Sequence, residues 1–335
     1  MIYQKIQLAS PKNFISTYEN SKIHGNILWV KPTVLSICAA DQRYFWGERP
    51  PHILQKKLPM ALIHEGIGEI FFDPNNQYSI GTPVILLPNR GSETSQKIYS
   101  EGAFFRSSNQ DGFTQELMEL IPSEVIPILS NSPKYFVFAE VISVCLHAIS
   151  RIPKIKWKNA KKIAVWGDGI VGYLLSWCLR QTFPFLNITV FGRHEDKLML
   201  FTHVDNVTIT EATYQHFNFD IVFEAVGGKG SEAAISQILN ICSPLAVICL
   251  LGVSEESILI DTRKILEKGL TIVGSSRSTK KDFEQAASLL EGCKEFSFLE
   301  KVISNEICVN NPKELCEAFE KDRTSPYKTL IHWNL

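Results

Sequence analysis

The decapeptide VWGDGIVGYL, residues 165–174, constrains the fold more than any other part of the chain. Gly167, Gly169 and Gly172 stand in the G-x-G-x-x-G spacing, after an apolar run that reads as a strand and before one that reads as a helix. In that context the first glycine turns the chain and the second lets a pyrophosphate approach the backbone. The third packs helix on strand, and the phosphates meet the helix N-terminus. Ile170 and Val171 lie inside the same turn. The pattern continues as KKIAVWGDG, GYLLSWCLRQTF, NITVFGR, HEDKLMLF, NVTIT, FDIVFEAVG, SEAAISQILNIC, LAVICLLG, RKILEKG and LTIVGSS. Strand and helix in alternation predict an α/β fold, a Rossmann-type doubly wound parallel sheet of six strands.

At 335 residues the chain exceeds what one hydrophobic core usually covers, so a second domain is expected. The N-terminal part supplies it, reading as short strands broken by turns: IYQKIQL, NILWVKPTVLSI, HEGIGEIFF and TPVILLP. The strand EKVISNEICV, helix PKELCEAFEKD and strand KTLIHWN at the C-terminus are read as returning to it. The expected division is therefore residues 1–144 with 301–335, and 145–300.

Lys and Arg number 34 against 35 Asp and Glu, which gives no field for nucleic acid or an anionic membrane. The N-terminus lacks the apolar core of a signal peptide and no run reaches the length of a membrane span, so a cytoplasmic protein is expected. Eight scattered cysteines with no CxxC pair argue against disulfides and against a finger-like structural zinc.

The second strand of the α/β part bears on cofactor choice. An NAD site places an acid at its end, for the ribose 2′-OH. Here Gly192 occupies that place, then Arg193, with Lys197 one turn on, which favours a 2′-phosphate and so NADP. The alternative is a solvated turn whose acid is Glu195 or Asp196.

Three separated stretches could meet at a metal: SICAADQ around Cys38, IHEG with His64 and Glu65, and FAEVISVCLHA around Glu140. Cys38 alone reads as a buried thiol and His64 as a core histidine. Glu140 in an apolar run needs a cation, because an unpaired buried charge is costly. A Cys, a His and one or two carboxylates suit an open, catalytic zinc, though spacing alone does not choose.

Taken together, these residues resemble the zinc-dependent medium-chain dehydrogenase/reductase superfamily: Cys38 with Asp41, His64 with Glu65, and Glu140 with Ser143 and Val144. The resemblance implies a β-rich, GroES-like catalytic domain, Cys38 and His64 as zinc ligands, and Glu65 and Glu140 as carboxylates that serve singly or exchange. It also places Cys38, Asp41, His64 and Glu65 at the catalytic centre, and Ser275 in LEKGLTIVGSSRS beside the cofactor. SICAADQRYFWGERP, KLPMALIHEGIGE, FFRSSNQDGFTQE and EAVGGKGSEAAI look further like the ribulose-5-phosphate reductases. That likeness implies NADP(H) and Zn2+ as cofactors and reduction of D-ribulose 5-phosphate to D-ribitol 5-phosphate, supplying CDP-ribitol for teichoic acid or capsule. A homodimer and a partner cytidylyltransferase are also implied.

Two positions depart from the superfamily. Ile63 stands where glycine usually precedes the His-Glu pair, and Ala40 where a hydroxyl usually relays the proton. The proton is left to water on the metal, Asp41, Tyr44 or the substrate's own hydroxyls. For the substrate phosphate, Arg43, Arg49, Lys56, Lys57 and Arg106 are candidates, with Arg43 and Arg106 preferred because aromatics lie close to both. Two other functions fit the same residues: a zinc polyol dehydrogenase on an unphosphorylated sugar alcohol, or an NADPH-binding subunit without chemistry.

Overall fold

The structure is a computed structural model, and it describes residues 1–23, 25–90, 94–210 and 217–335. The chain forms two compact units, Met1–Ser143 with Ser278–Leu335, and Val144–Arg277. The return to the first unit thus starts at Ser278, ahead of residue 301. The reason is local. The Ser278 carbonyl accepts from Asn89 Nδ2 at 2.6 Å and its hydroxyl lies 2.8 Å from that of Ser143, so the helix Lys280–Glu291 that follows belongs to the first unit.

Strands β1 (Ile2–Ser10), β2 (Asn13–Asn20), β3 (Leu28–Ser36), β4 (Met60–Ala61), β5 (Glu65–Phe72), β6 (Pro83–Leu86), β7 (Met118–Leu120) and β8 (Val125–Pro127) begin the first unit. The second contains β9 (Lys162–Trp166), β10 (Asn187–Gly192), β11 (Asn206–Ile209), β12 (Phe219–Glu224), β13 (Cys242–Leu250) and β14 (Thr271–Gly274). Strands β15 (Ile303–Val309) and β16 (Lys328–Trp333) complete the first. There β2-β1-β4 form a small sheet, and a seven-stranded sheet runs β15-β16-β3-β5-β6-β8 with β7 also on β3. Strand β3 lies between β5 and β16, so Ser36 is opposite both Glu65 and Leu330. That placement governs the site.

The second unit is the expected sheet of six parallel strands, in the order β11-β10-β9-β12-β13-β14. Its central strands are apolar on both faces, as a sheet covered by helices on each side requires. Trp166 and Phe191 stack at 4.0 Å between centroids within it. The segment Pro133–Arg151 is long and apolar enough to cross a membrane, but 78% of its apolar window is buried inside the fold, as a core helix would be. All eight cysteines are free thiols.

Candidate metal and cofactor sites

Cys38 follows the end of β3 and occupies the N-cap of the helix Ala39–Phe45, while His64 and Glu65 lead into β5. Pairing of β3 with β5 therefore brings the three together, and one ligand atom from each lies within 4.8 Å of the others. A thiol, an imidazole and a carboxylate converging from distant segments are a donor set that fits zinc.

Asp41 organises this cluster from behind. Its Oδ2 accepts the Cys38 backbone N–H at 3.2 Å, and its Oδ1 accepts the Ile63 N–H at 3.1 Å and the Ser107 hydroxyl at 2.5 Å. The same Oδ1 faces His64 Nδ1 at 3.4 Å. One fully buried carboxylate thereby fixes the Cys38 segment against the His64 segment. Burial alone would raise its pKa, but His64, Ser107 and the Cys38 amide bring it below the ordinary aspartate value. Asp41 is thus held as an anion that orients the two ligand segments, a role beside the proton source that the sequence offered for it.

Ile63 has φ +67°, the left-handed region that costs a β-branched residue most. This is why glycine is usual there; the isoleucine changes backbone strain as well as packing. The conformation is held by Asp41 on the Ile63 N–H and by the Phe113 N–H on its carbonyl at 2.8 Å.

Sequence reasoning missed Lys328, the first residue of β16. The residue is 5% exposed, and its ammonium donates to Glu65 Oε1 and Oε2, both at 2.7 Å, and to the Ile37 carbonyl at 2.9 Å. Burial opposes the charge, yet Glu65 holds the lysine pKa above its ordinary value. Nothing in KTLIHWN distinguishes Lys328 from a flanking surface charge; only the β16-β3-β5 order reveals it. Glu140, in the first turn of the helix Ala139–Arg151, is 7% exposed, and its carboxylate accepts no hydrogen bond among the described residues. Burial, the chief cause, pushes its pKa up to about 7. It lies in the field of His64, Glu65 and Lys328, but outside the tight trio.

The basic candidates separate. Arg106 turns inward: it pairs with the fully buried Glu124 at 3.1 Å and donates to the Asp111 carbonyl at 3.4 Å, so its reading as a phosphate ligand is corrected to a structural one. The nearby aromatic that suggested a site, Phe104, packs under Arg106 and Arg90. Arg43 is half-buried on the helix Ala39–Phe45. Lys57 donates to the Tyr44 hydroxyl at 3.0 Å and to the Ser108 hydroxyl at 3.3 Å, with no carboxylate partner among the described residues. The Arg49 guanidinium lies over the Tyr44 ring at 5.0 Å. Lys57 was the weaker candidate in sequence because it has no aromatic beside it in the chain.

In the second unit the three glycines do what their spacing implies. Gly167 has φ +132°, and a Cβ there would meet the Ala225 carbonyl at 2.7 Å; one on Gly172 would meet the Gly167 carbonyl at 2.0 Å. Around Gly169 nothing lies within 4 Å, and the helix Ile170–Thr182 begins there without a side-chain cap, with Ile170 and Val171 in its first turn. Open space over free N–H groups fits a pyrophosphate. At Gly192 a Cβ would clash with Asp168, whose carboxylate accepts the N–H groups of Arg193 and His194 at 2.7 and 2.8 Å and faces His194 Nδ1 at 2.9 Å. The acid missing from 192 is replaced by one spent on the turn. The exposed Arg193 guanidinium has no hydrogen bond or ion pair among the described residues, and Lys197 is half-buried one turn on. Ser275, just after β14, is buried with its hydroxyl unpartnered among the described residues.

A parallel sheet opening on such a turn, joined to a β-rich unit that presents Cys, His and Glu donors, defines a medium-chain dehydrogenase/reductase of the zinc type. Residues 134–332 match the glucose dehydrogenase C-terminus family. The chain is 39% identical to ribulose-5-phosphate reductase of Bacillus spizizenii, with 100% of both chains covered. It is also 39% identical to ribulose-5-phosphate reductase 1 of Staphylococcus aureus, with 99% of both covered. The crystal structure of S. aureus TarJ in complex with NADPH superposes with a TM-score of 0.89 at 37% identity, covering 100% of both chains. The chain belongs to the ribulose-5-phosphate reductase family.

Proposed function

We propose that this chain reduces D-ribulose 5-phosphate to D-ribitol 5-phosphate with NADPH. The observation that carries the reading is the Cys38–His64–Glu65 cluster in a chain related over its full length to reductases of that name. Zinc bound there supplies Lewis-acid polarisation of the C2 carbonyl, and NADPH supplies the hydride. The residues do the rest. Cys38 and His64, held in register by Asp41, together with one of Glu65 and Glu140, hold the metal. Gly167, Gly169, Ile170, Val171 and Gly172 receive the pyrophosphate, Arg193 and Lys197 the 2′-phosphate, and Ser275 lends its unpartnered hydroxyl to the cofactor.

For the substrate phosphate, Lys57 has the geometry that Arg106 lacks. Its ammonium donates to two hydroxyls and to no carboxylate among the described residues, Tyr44 and Ser108 can each turn a proton toward an anion, and Ser108 adjoins Ser107 on Asp41. Arg43 and Arg49 add charge from the same stretch. Lys57→Ala is expected to raise KM for D-ribulose 5-phosphate about 10–100-fold, the worth of one hydrogen bond to a charged group, and to leave turnover of unphosphorylated D-ribulose unchanged. An equal loss on both sugars would place Lys57 elsewhere.

The enzyme works in the cytoplasm, and its product feeds CDP-ribitol synthesis for wall teichoic acid or capsule, in a complex with a ribitol-5-phosphate cytidylyltransferase. A homodimer is supported by the exposed edge strand β14 and by Leu245, Leu259 and Leu266, all well exposed in the second unit. The decisive assay follows NADPH oxidation with D-ribulose 5-phosphate, with and without a chelator, beside NADH and beside D-ribulose. Activity with NADPH that the chelator abolishes is the expected result. Equal rates on both sugars would favour a general polyol dehydrogenase, and no rate after zinc addition an inactive NADPH-binding subunit.

A further inference from the structure

Glu224 ends β12 with a carboxylate that the chemistry above does not use. It has no solvent exposure and pairs with no cation among the described residues; four neutral donors hold it instead. Oε1 accepts the Val226 and Gly227 N–H groups at 3.0 and 3.1 Å and the Ser231 hydroxyl at 2.9 Å, and Oε2 accepts the Gly252 N–H at 3.1 Å. One side chain thus ties together the loop leaving β12, the first residue of the helix Ser231–Ile241 and the turn leaving β13. The tie is tight: a Cβ on Gly252 would meet both carboxylate oxygens, at 2.5 and 2.6 Å, and the Gly227 nitrogen at 2.5 Å. A carboxylate suits this task because it offers acceptors on both sides, whereas an amide would turn its own N–H groups toward one of the donors.

The place of this tie in the sheet gives it a use. A doubly wound sheet takes a dinucleotide across the C-terminal ends of its strands, one mononucleotide over each half. The glycine turn after β9, with Arg193 and Lys197 after β10, assigns the adenosine end to the half β11-β10-β9. The nicotinamide end then falls to β12 and β13, whose outgoing loops are the two that Glu224 joins. The first of them abuts the glycine turn, since a Cβ on Gly167 would meet the Ala225 carbonyl at 2.7 Å. Left to itself that loop would be loose: Gly227 and Gly228 have φ +66° and +56°, and glycine has the widest choice of backbone states to lose. We propose that Glu224 is a positioning residue for the nicotinamide half of NADPH, holding residues 225–228 and 251–253 as one preformed seat. The proposal rests on the NADPH reading of this sheet. Glu224 acts through the loops: with the seat built before the cofactor arrives, binding does not have to order it, and the ring is held where hydride can leave.

The test compares the dissociation constants of NADPH and of 2′,5′-ADP, which carries the adenosine and its 2′-phosphate but no nicotinamide, in wild type, E224Q, G252A and R193A. E224Q is expected to weaken NADPH about 10-fold and to lower kcat, while changing 2′,5′-ADP by less than about 2-fold, because the lost contacts lie under one end of the cofactor alone. G252A, which forces the two loops apart with Glu224 intact, should give the same selective loss. R193A should weaken both ligands alike. A carboxylate that merely stabilised the fold would lower both affinities together in E224Q, or neither, and either result would overturn the proposal. Hydrogen exchange on the wild-type protein keeps the question open to refutation even if both loop variants fail to fold. Without cofactor, the amides of Val226, Gly227 and Gly252 should already exchange slowly, and 2′,5′-ADP should not change them. Fast exchange that only NADPH suppresses would show a seat formed by the cofactor and not by Glu224. Wild-type protein that binds neither ligand would instead remove the NADPH reading itself.

Discussion

Replacing Cys38 by serine is expected to strip the protein of zinc and to lower kcat/KM for D-ribulose 5-phosphate about 10³-fold, the equivalent of several kcal/mol of lost transition-state stabilisation. The site explains why the loss should be catalytic and not a loss of fold. Cys38 is the N-cap of the helix Ala39–Phe45, a position where serine is among the preferred residues. Its backbone N–H, which Asp41 holds, is unchanged by the substitution. Serine keeps the cap and removes the thiolate, the one soft donor of the set. The Michaelis constant for NADPH should not move, because the glycine turn and Arg193 lie in the other unit. Elemental analysis, steady-state kinetics and thermal unfolding on one preparation check all three statements. One equivalent of zinc retained at full turnover would exclude Cys38 as a ligand.

The parallel sheet was legible because its signal is redundant. Six apolar runs, most of them followed by a helical pattern, state the same architecture several times, and the glycine spacing adds the direction of the first turn. The β-rich unit was less so: β7 and β8 have three residues each, too few for an alternating pattern to register. The boundary at Ser278 was hidden for a different reason. It depends on hydrogen bonds to Asn89 and Ser143, partners more than 100 residues away that no local pattern announces.

Among the site residues, those with chemically unusual surroundings could be found. Glu140 stood out as a charge in an apolar run, and Gly192 as a gap where an acid is usual. Lys328 could not be found, because a lysine at the start of a strand is an ordinary surface residue until the strand order is known. Asp168 carries no signal of its own inside the glycine turn, although a Cβ at 192 would run into its side chain. Asp41 was read as one of four proton sources. Its position three residues after a helix N-cap points to capping as readily as to proton transfer, and four groups surround its carboxylate.

Arg106→Ala should destabilise the protein by about 3–5 kcal/mol and leave the ratio of KM values for D-ribulose 5-phosphate and D-ribulose unchanged. The argument starts from Glu124, which has no solvent exposure and accepts from three donors: Arg106 at 3.1 Å, Arg90 at 3.0 Å and the Ile121 N–H at 2.9 Å. Removing Arg106 takes away the buried one of its two cations and leaves Arg90, whose side chain is 43% exposed and whose pairing is weakened by solvent. The carboxylate is then left short of charge in a low-dielectric setting, where breaking one side of a pair costs more than the pair contributes. Arg106→Ala with Glu124→Gln should restore much of the stability, because the neutral amide no longer needs the second cation, while Glu124→Gln alone should destabilise by stranding the buried guanidinium. Such recovery is the signature of two groups acting as a unit. Denaturant unfolding of the two single variants and the double variant measures it. A selective rise in the KM for the phosphorylated sugar, with stability unchanged, would return Arg106 to the substrate phosphate.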